Sequence, residues 1–132
     1  MPRTRIDFDT VRSIGLSLPD VEEGTAYGSP ALKIRGKLMT CLPINRSVEP
    51  NSLAVWIEFD KRAVLIASVP DTYYVTDHYR NHPIVLVRLS RIGIEELRNL
   101  LELAWQFVSA QTRGGKRGSR VNRQGVKSST HY

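Results

Sequence analysis

The segment Ile94–Ala110 limits the fold more than any other. In "IEELRNLLELAWQFVSA", Leu97, Leu100, Leu101, Ala104, Trp105 and Val108 recur at three- and four-residue steps. That spacing gathers them on one broad helix face. Glu95 and Glu96 fall in the first turn, where they complement the helix dipole. Burying a leucine contributes roughly 1.5–3 kcal/mol, so the face demands a flat apolar partner. "IVLVRLS", Ile84 to Ser90, supplies one. Val85, Val87 and Leu89 alternate with Ile84, Leu86 and Arg88, and the apolar density predicts an interior strand.

Upstream, Phe8, Val11, Ile14 or Gly15, and Leu18 predict a first helix, capped by Asp7 or Asp9 and closed by Pro19. "VEEGTAYG" reads as an acidic loop with Gly24 and Gly28 in turns. Ala31, Lys33 and Arg35 alternate with Leu32, Ile34 and Gly36. Leu38, Thr40 and Leu42 then alternate with Lys37, Met39 and Cys41. Two antiparallel strands meeting at "RGK" result, with Gly36 in the hairpin turn. Leu53–Phe59 is a third strand, with Val55, Ile57 and Phe59 on one face and Ala54, Trp56 and Glu58 on the other. "DKRAVLIASVP" reads as a short helix capped by Asp60, with Ala63, Val64 and Ala67 on one side. "TYYVT" reads as an edge strand. The expected fold class is a two-layer α+β domain, α-β3-α-β2-α, with an antiparallel sheet and helices mainly on one face. Lys33, Arg35, Lys37, Trp56, Glu58 and Arg88 are the candidates to line the open face.

The chain of 132 residues suits one domain, read as a folded unit over 1–110 and a basic tail over 111–132. The net charge of +6 is localised. After Gln111 the chain carries Arg113, Lys116, Arg117, Arg120, Arg123 and Lys127 and no acid, while the remaining 13 basic residues balance the 13 acids. Such a segment buries too little surface to offset its ordering entropy, so it is expected to be disordered and to attract polyanions. The lone Cys41, in "LMTCLP", reads as a reduced, buried thiol rather than a nucleophile and fits a cytoplasmic protein. No run approaches the ~18 apolar residues of a membrane span, and no signal peptide is evident.

Three stretches, "LSLPDVEEGTAYGSPALKIRGKLMTCL", "HYRNHPIVLVRLS" and "IEELRNLLELAWQFV", together resemble the MmcQ/YjbR family over about positions 8 to 110. Matching positions include Gly28, Pro30, Lys33, Gly36, Lys37 and His78. Where many relatives carry a tryptophan, this chain has Pro83-Ile84. The resemblance implies an α-β3-α-β2-α fold with a double-wing arrangement and the DNA-binding label attached to it, and implies no catalytic residue set. The same element order is similar to secretion-chaperone-like dimers.

The residue-level reading centres on "YYVTDHYRNHP", Tyr73 to Pro83. His78 and His82 have the i, i+4 spacing of helical metal ligands, but Pro83 forces His82 out of helical geometry, so no metal is expected. Ser29 lacks a nucleophile elbow and no phosphate loop is present. No catalytic residue, enzymatic activity or cofactor is therefore expected. Tyr73, Tyr74 and Tyr79 are expected to pack partly against the sheet edge with their hydroxyls in water. As a binding rim, Tyr79 offers a stacking surface and Arg80 a fork of donors, beside His78. The leading expectation is a cytoplasmic protein, monomeric or weakly dimeric, that binds DNA weakly and without sequence preference. Lys33, Arg35, Lys37, His78, Tyr79, Arg80 and the six tail cations would carry that binding. The rival is an adaptor for a protein or a small ligand, signalled by a pocket around Tyr27, Trp56 and His78.

Overall fold

The computed structural model describes residues 6–43 and 47–121. Among these residues, three α-helices and a six-stranded sheet make an α+β fold with the strand order β1-β2-β3-β4-β6-β5, every neighbouring pair antiparallel. The strands are β1 (Val21–Ala26), β2 (Ser29–Ile34), β3 (Lys37–Cys41), β4 (Ser52–Trp56), β5 (Tyr73–Tyr74) and β6 (Ile84–Arg88). As the apolar run predicted, β6 is interior.

The expected strand count before the second helix is corrected from three to four. "VEEGTA" is the edge strand β1, not an acidic loop, and pairs with β2 from Val21↔Ile34 to Ala26↔Ser29. Only Ala26 in it is buried, so the backbone ladder holds β1 and no apolar alternation announces it. Two-residue turns join the first three strands. Tyr27 (φ 53°) and Gly28 (φ 81°) link β1 to β2, and Arg35 (φ 48°) and Gly36 (φ 87°) link β2 to β3. Positive φ at both central positions matches the twist of a tight hairpin.

Helix α1 (Phe8–Leu16) starts at Asp7, whose side chain accepts from the backbone N–H groups of Asp9 and Thr10. Its buried face is Phe8, Val11, Ile14 and Gly15. Helix α3 (Ile94–Val121) buries Leu97, Leu100, Leu101, Ala104 and Val108. Trp105 is half-buried and its indole N–H donates to the Pro19 carbonyl at 2.8 Å. The helical backbone continues to Val121, past the Ala110 boundary drawn from periodicity, and carries Arg113, Lys116, Arg117 and Arg120. Arg123 and Lys127 lie outside the described residues.

Helix α2 (Phe59–Ser68) corrects two expectations. Glu58, not Asp60, occupies the N-cap, and it makes no side-chain cap. The inward residues are Arg62, Leu65 and Ile66, whereas Ala63, Val64 and Ala67 are exposed. Phe59, assigned to a strand face, opens this helix and is 47% exposed.

Side chains from all three helices meet one cluster on one face of the sheet, formed by Leu32, Ile34, Met39, Leu53, Val55, Val85 and Val87. In β3 a bulge changes the alternation. Leu32 pairs with Thr40 while Lys33 pairs with Leu38, leaving Met39 as the extra residue. Met39 thus joins the helix-side core, and Leu38 and Cys41 both face the other way. Among the described residues no helix is long and apolar enough to cross a membrane.

A Cβ added at Gly15 would lie 2.3 Å from Leu32 Cδ1, a side chain with no solvent exposure. Gly15→Ala is expected to destabilise the fold by about 1–2 kcal/mol, since overpacking outweighs the ~1 kcal/mol helix-propensity gain. Urea unfolding checks the sign: a higher midpoint for the variant would refute this packing.

Candidate functional site

The opposite face of the sheet has its own apolar cluster, Ala26, Ala31, Cys41, Ala54, Ile84 and Leu86, and no residue of α1, α2 or α3 joins it among the described residues. The strand registers place a row straight across the sheet: Gly24, Ala31, Cys41, Ala54, Leu86 and Tyr74. From β1 to β4 that row is built of small residues. Bulkier groups stand around it, so the surface between them is hollow.

The hollow is a recess of about 420 Å³, within the usual size range of small-molecule sites. It is lined by Cys41, Ala54 and Ile84 from the strands, by Leu42 and Pro43 just after β3, and by Tyr27, Trp56, His78, Tyr79 and His82. The β1–β2 turn carries Tyr27, which is 84% exposed. The opposite wall is the segment from Thr76 to Pro83, which contains a short 3₁₀ turn at Asp77–Tyr79. Tyr79 and His78 meet edge to face, with centroids 4.6 Å apart and planes at 88°. Burial raises the Tyr79 hydroxyl above its ordinary pKa, with smaller contributions from Cys41, Tyr27 and Tyr74. Burial also pushes the Cys41 thiol up to about 11, so it meets the recess as a neutral, unreactive group.

The wall is fastened from behind. The Arg62 guanidinium on α2 donates to the backbone carbonyls of His82 at 2.9 Å, Arg80 at 3.0 Å, Ile84 at 3.2 Å and, more weakly, Tyr79 at 3.5 Å. Burial, then the nearby Arg80 charge, lowers the Arg62 pKa.

The trio Tyr27, Trp56 and His78 therefore shares one hollow, with Tyr79 beside it. The tyrosines of the edge divide. Tyr73 is buried in the helix-side core, while Tyr74 faces the other side under the Arg88 guanidinium, 4.3 Å from its ring. The expected cations do not line the recess. Arg80 pairs with Asp77. Arg35 turns to Asp20 at 2.7 Å and to the Thr112 hydroxyl at 3.0 Å. Arg88 holds Glu49 through two bonds of 2.8 and 2.7 Å and donates to the carbonyls of Pro70 and Asp71. Lys33 follows the parity of Ala31, and its stem runs past Gly24. Lys37 is exposed at the start of β3. Glu58 lines a separate groove of about 350 Å³ between α2 and α3. Sequence reasoning missed Cys41 as a lining residue and Arg62 as the fastener of the wall. The β3 bulge hid the first. For the second, the one available signal was an arginine within the apolar register of a short helix.

At pH 8, alkylation of Cys41 in the folded chain is expected to run about 100-fold slower than in the denatured chain, following the thiolate fraction. The raised thiol pKa also predicts a stability term intact below the unfolded thiol's value of about 8.5 and lost as pH rises toward about 11. Unfolding midpoints across that range, compared with Cys41→Ala, isolate it; an identical pH dependence for both chains would contradict it.

Comparison with known proteins places this architecture. A solved crystal structure of a Deinococcus radiodurans protein with the DUF419 domain superposes with a TM-score of 0.66 over 100% of both chains, at 16% identity. Uncharacterised proteins of Mycobacterium tuberculosis and Mycobacterium bovis are 44% identical over 41 residues, 31% of this chain and 32% of theirs. The match thus spans about a third of the length of these curated relatives. The YjbR family model matches residues 16–107, which takes in every described strand, the recess and the first half of α3, and the chain accordingly belongs to the YjbR family.

Proposed function

We propose that the chain is a small-ligand-binding module whose recess takes a flat, uncharged, largely apolar molecule. One observation carries this reading: Tyr27, Trp56, His78 and Tyr79 converge on a single hollow whose described lining contains no carboxylate, ammonium or guanidinium group. Aromatic side chains favour stacked or edge-on contact with a ring. The tyrosine hydroxyls and the two imidazoles offer the few polar contacts that orient a ligand in an apolar site. The charge distribution agrees. Arg12 pairs with Asp9 and Glu23, Arg35 with Asp20, Lys61 with Glu58, Arg80 with Asp77 and Arg88 with Glu49. A dedicated DNA reader concentrates unpaired positive charge on its folded surface; here both signs interleave. The lone buried thiol suits a reducing compartment such as the cytoplasm.

Indole is a suitable neutral probe. In the isotope-labelled protein, its addition is expected to shift the Trp56 side-chain N–H resonance and the Tyr79 and His82 amides, and to leave Trp105 unmoved. Trp56→Ala should weaken binding by about tenfold or more, the loss of roughly 1–3 kcal/mol of stacking. Benzoate and cyclohexanol serve as charged and non-aromatic comparisons. Absence of any shift at the recess with all three would refute the reading.

A second reading rests on the tail. Arg113, Lys116, Arg117, Arg120, Arg123 and Lys127 occur without an intervening acid, which favours weak, sequence-independent attraction to DNA. If all six meet phosphates, the log–log salt slope of DNA binding is expected near about −5. Replacing the six by glutamine should abolish that slope. Mobility shifts across a salt series decide, and unchanged binding by the substituted chain would remove the tail from the account.

A further inference from the structure

We propose that Arg62 is the positioning residue of the recess: from α2, without touching the ligand, its guanidinium seats the wall that carries His78, Tyr79 and His82. The proposal rests on the small-ligand reading for its effect on affinity, and on the geometry alone for its effect on the wall.

The geometry is specific. One planar cation spans the carbonyls of Tyr79, Arg80, His82 and Ile84. These four residues run from the 3₁₀ turn to the first residue of β6. Carbonyl dipoles, not a carboxylate, meet the charge in these bonds. The Cζ of the same guanidinium lies over the Phe59 ring, 4.9 Å from its centroid. The segment's own backbone bonds close it locally: Tyr79 N–H to Thr76, Arg80 N–H to Asp77, His82 N–H to Tyr79 and Ile84 N–H to His82. Local bonds of this kind set the shape of the segment but not its distance from the sheet. That distance is set by the Ile57 N–H donating to the Pro83 carbonyl at 3.0 Å, by the Thr76 and Ser47 hydroxyls bonded at 3.0 Å, by Tyr79 packing on the apolar cluster of the open face, and by Arg62. Lysine cannot reproduce the arrangement, because a single ammonium centre has no planar fork with which to span four acceptors. Arg62 shares the inward side of α2 with Leu65 and Ile66, which pack on the core, while Val64 is 63% exposed.

Two variants and two measurements test this in the full chain. In Arg62→Lys and Arg62→Ala without ligand, amide hydrogen exchange is expected to accelerate at Tyr79, Arg80 and His82, and the Trp56 side-chain N–H resonance to move, while β2 and β3 keep their protection. Indole affinity, measured on the folded protein, should fall about tenfold or more in Arg62→Ala, the scale of losing charged hydrogen bonds. Guanidinium ion at low millimolar concentration should restore it in Arg62→Ala, and ammonium should not. A lowered melting temperature with unchanged wall exchange and unchanged indole affinity would make Arg62 an ordinary stabilising contact and overturn the proposal. Faster wall exchange in the variants of a protein that binds none of the three probes would preserve the seating role and sink the ligand reading instead. Should Arg62→Ala fail to fold, Arg62→Lys carries both measurements.

Discussion

A six-stranded sheet presents two faces to be buried, and here all three helices pack on one of them. This asymmetry governs the rest of the structure. The helix side follows familiar rules: Leu97, Leu100, Leu101 and Ala104 of α3 bury against the apolar side chains of β2, β3 and β4. Among the described residues, the other side is closed by the sheet and its connections alone. Alanines and a cysteine sit at its centre, and Tyr27, Trp56, Tyr74 and Tyr79 rise around them. Small residues let the backbone face stay shallow and dry, and aromatic rims shield it without filling it. A hollow is the direct product of leaving one face of a sheet without helices.

The charged residues follow the same constraint. Arg88 and Arg62 are each committed to several partners at the margins of that face. Arg88 joins Glu49, the turn at Pro70 and Asp71, and the Tyr74 ring. Tyr74 itself donates or accepts with the Ser52 hydroxyl at 2.6 Å and accepts from the Glu49 N–H. Arg62 holds the opposite wall. Each arginine thus performs the edge closure that a covering helix would otherwise provide, and neither guanidinium is left to form a cationic surface. Ion pairs this exposed contribute little individually to stability; their placement matters because it sets where loops lie.

The elements that announced themselves in the sequence were those with a strong apolar period: α1, β2, β3, β4, β6 and α3. The α+β class, the helix layer and the interior place of β6 followed from that pattern. Edge strand β1 did not, because Glu22, Glu23 and Thr25 are exposed and its ladder with β2 needs no side-chain signature. The face of Cys41 was hidden for a different reason. An extra residue at Met39 reverses the parity of β3, and a strand read by strict alternation cannot show a bulge. Tyr27, Trp56 and His78 were legible as the members of a candidate pocket, although Tyr27 is far from both in sequence. Only the β1–β2 turn and the strand order bring them together. Arg62 was illegible because its partners are backbone carbonyls, which every residue has and no composition reveals.

The recess and the basic segment also separate on physical grounds. Attraction between unlike charges extends about 8 Å at physiological salt before screening takes hold, and it depends on ionic strength by nature. Contact between a ring and Trp56, Tyr27 or Tyr79 depends on excluded water and depends on salt weakly. On the proposed readings, the basic segment would gather partners from a distance and the recess would discriminate at contact. Their energetics share little, because the described lining of the recess holds no lysine or arginine and the segment after Gln111 holds no aromatic residue before Tyr132. A ligand held by the recess would therefore keep its affinity where polyanion binding has been screened away, and Arg62, which meets only carbonyl dipoles and the Phe59 ring in its described contacts, would keep seating the wall under the same conditions.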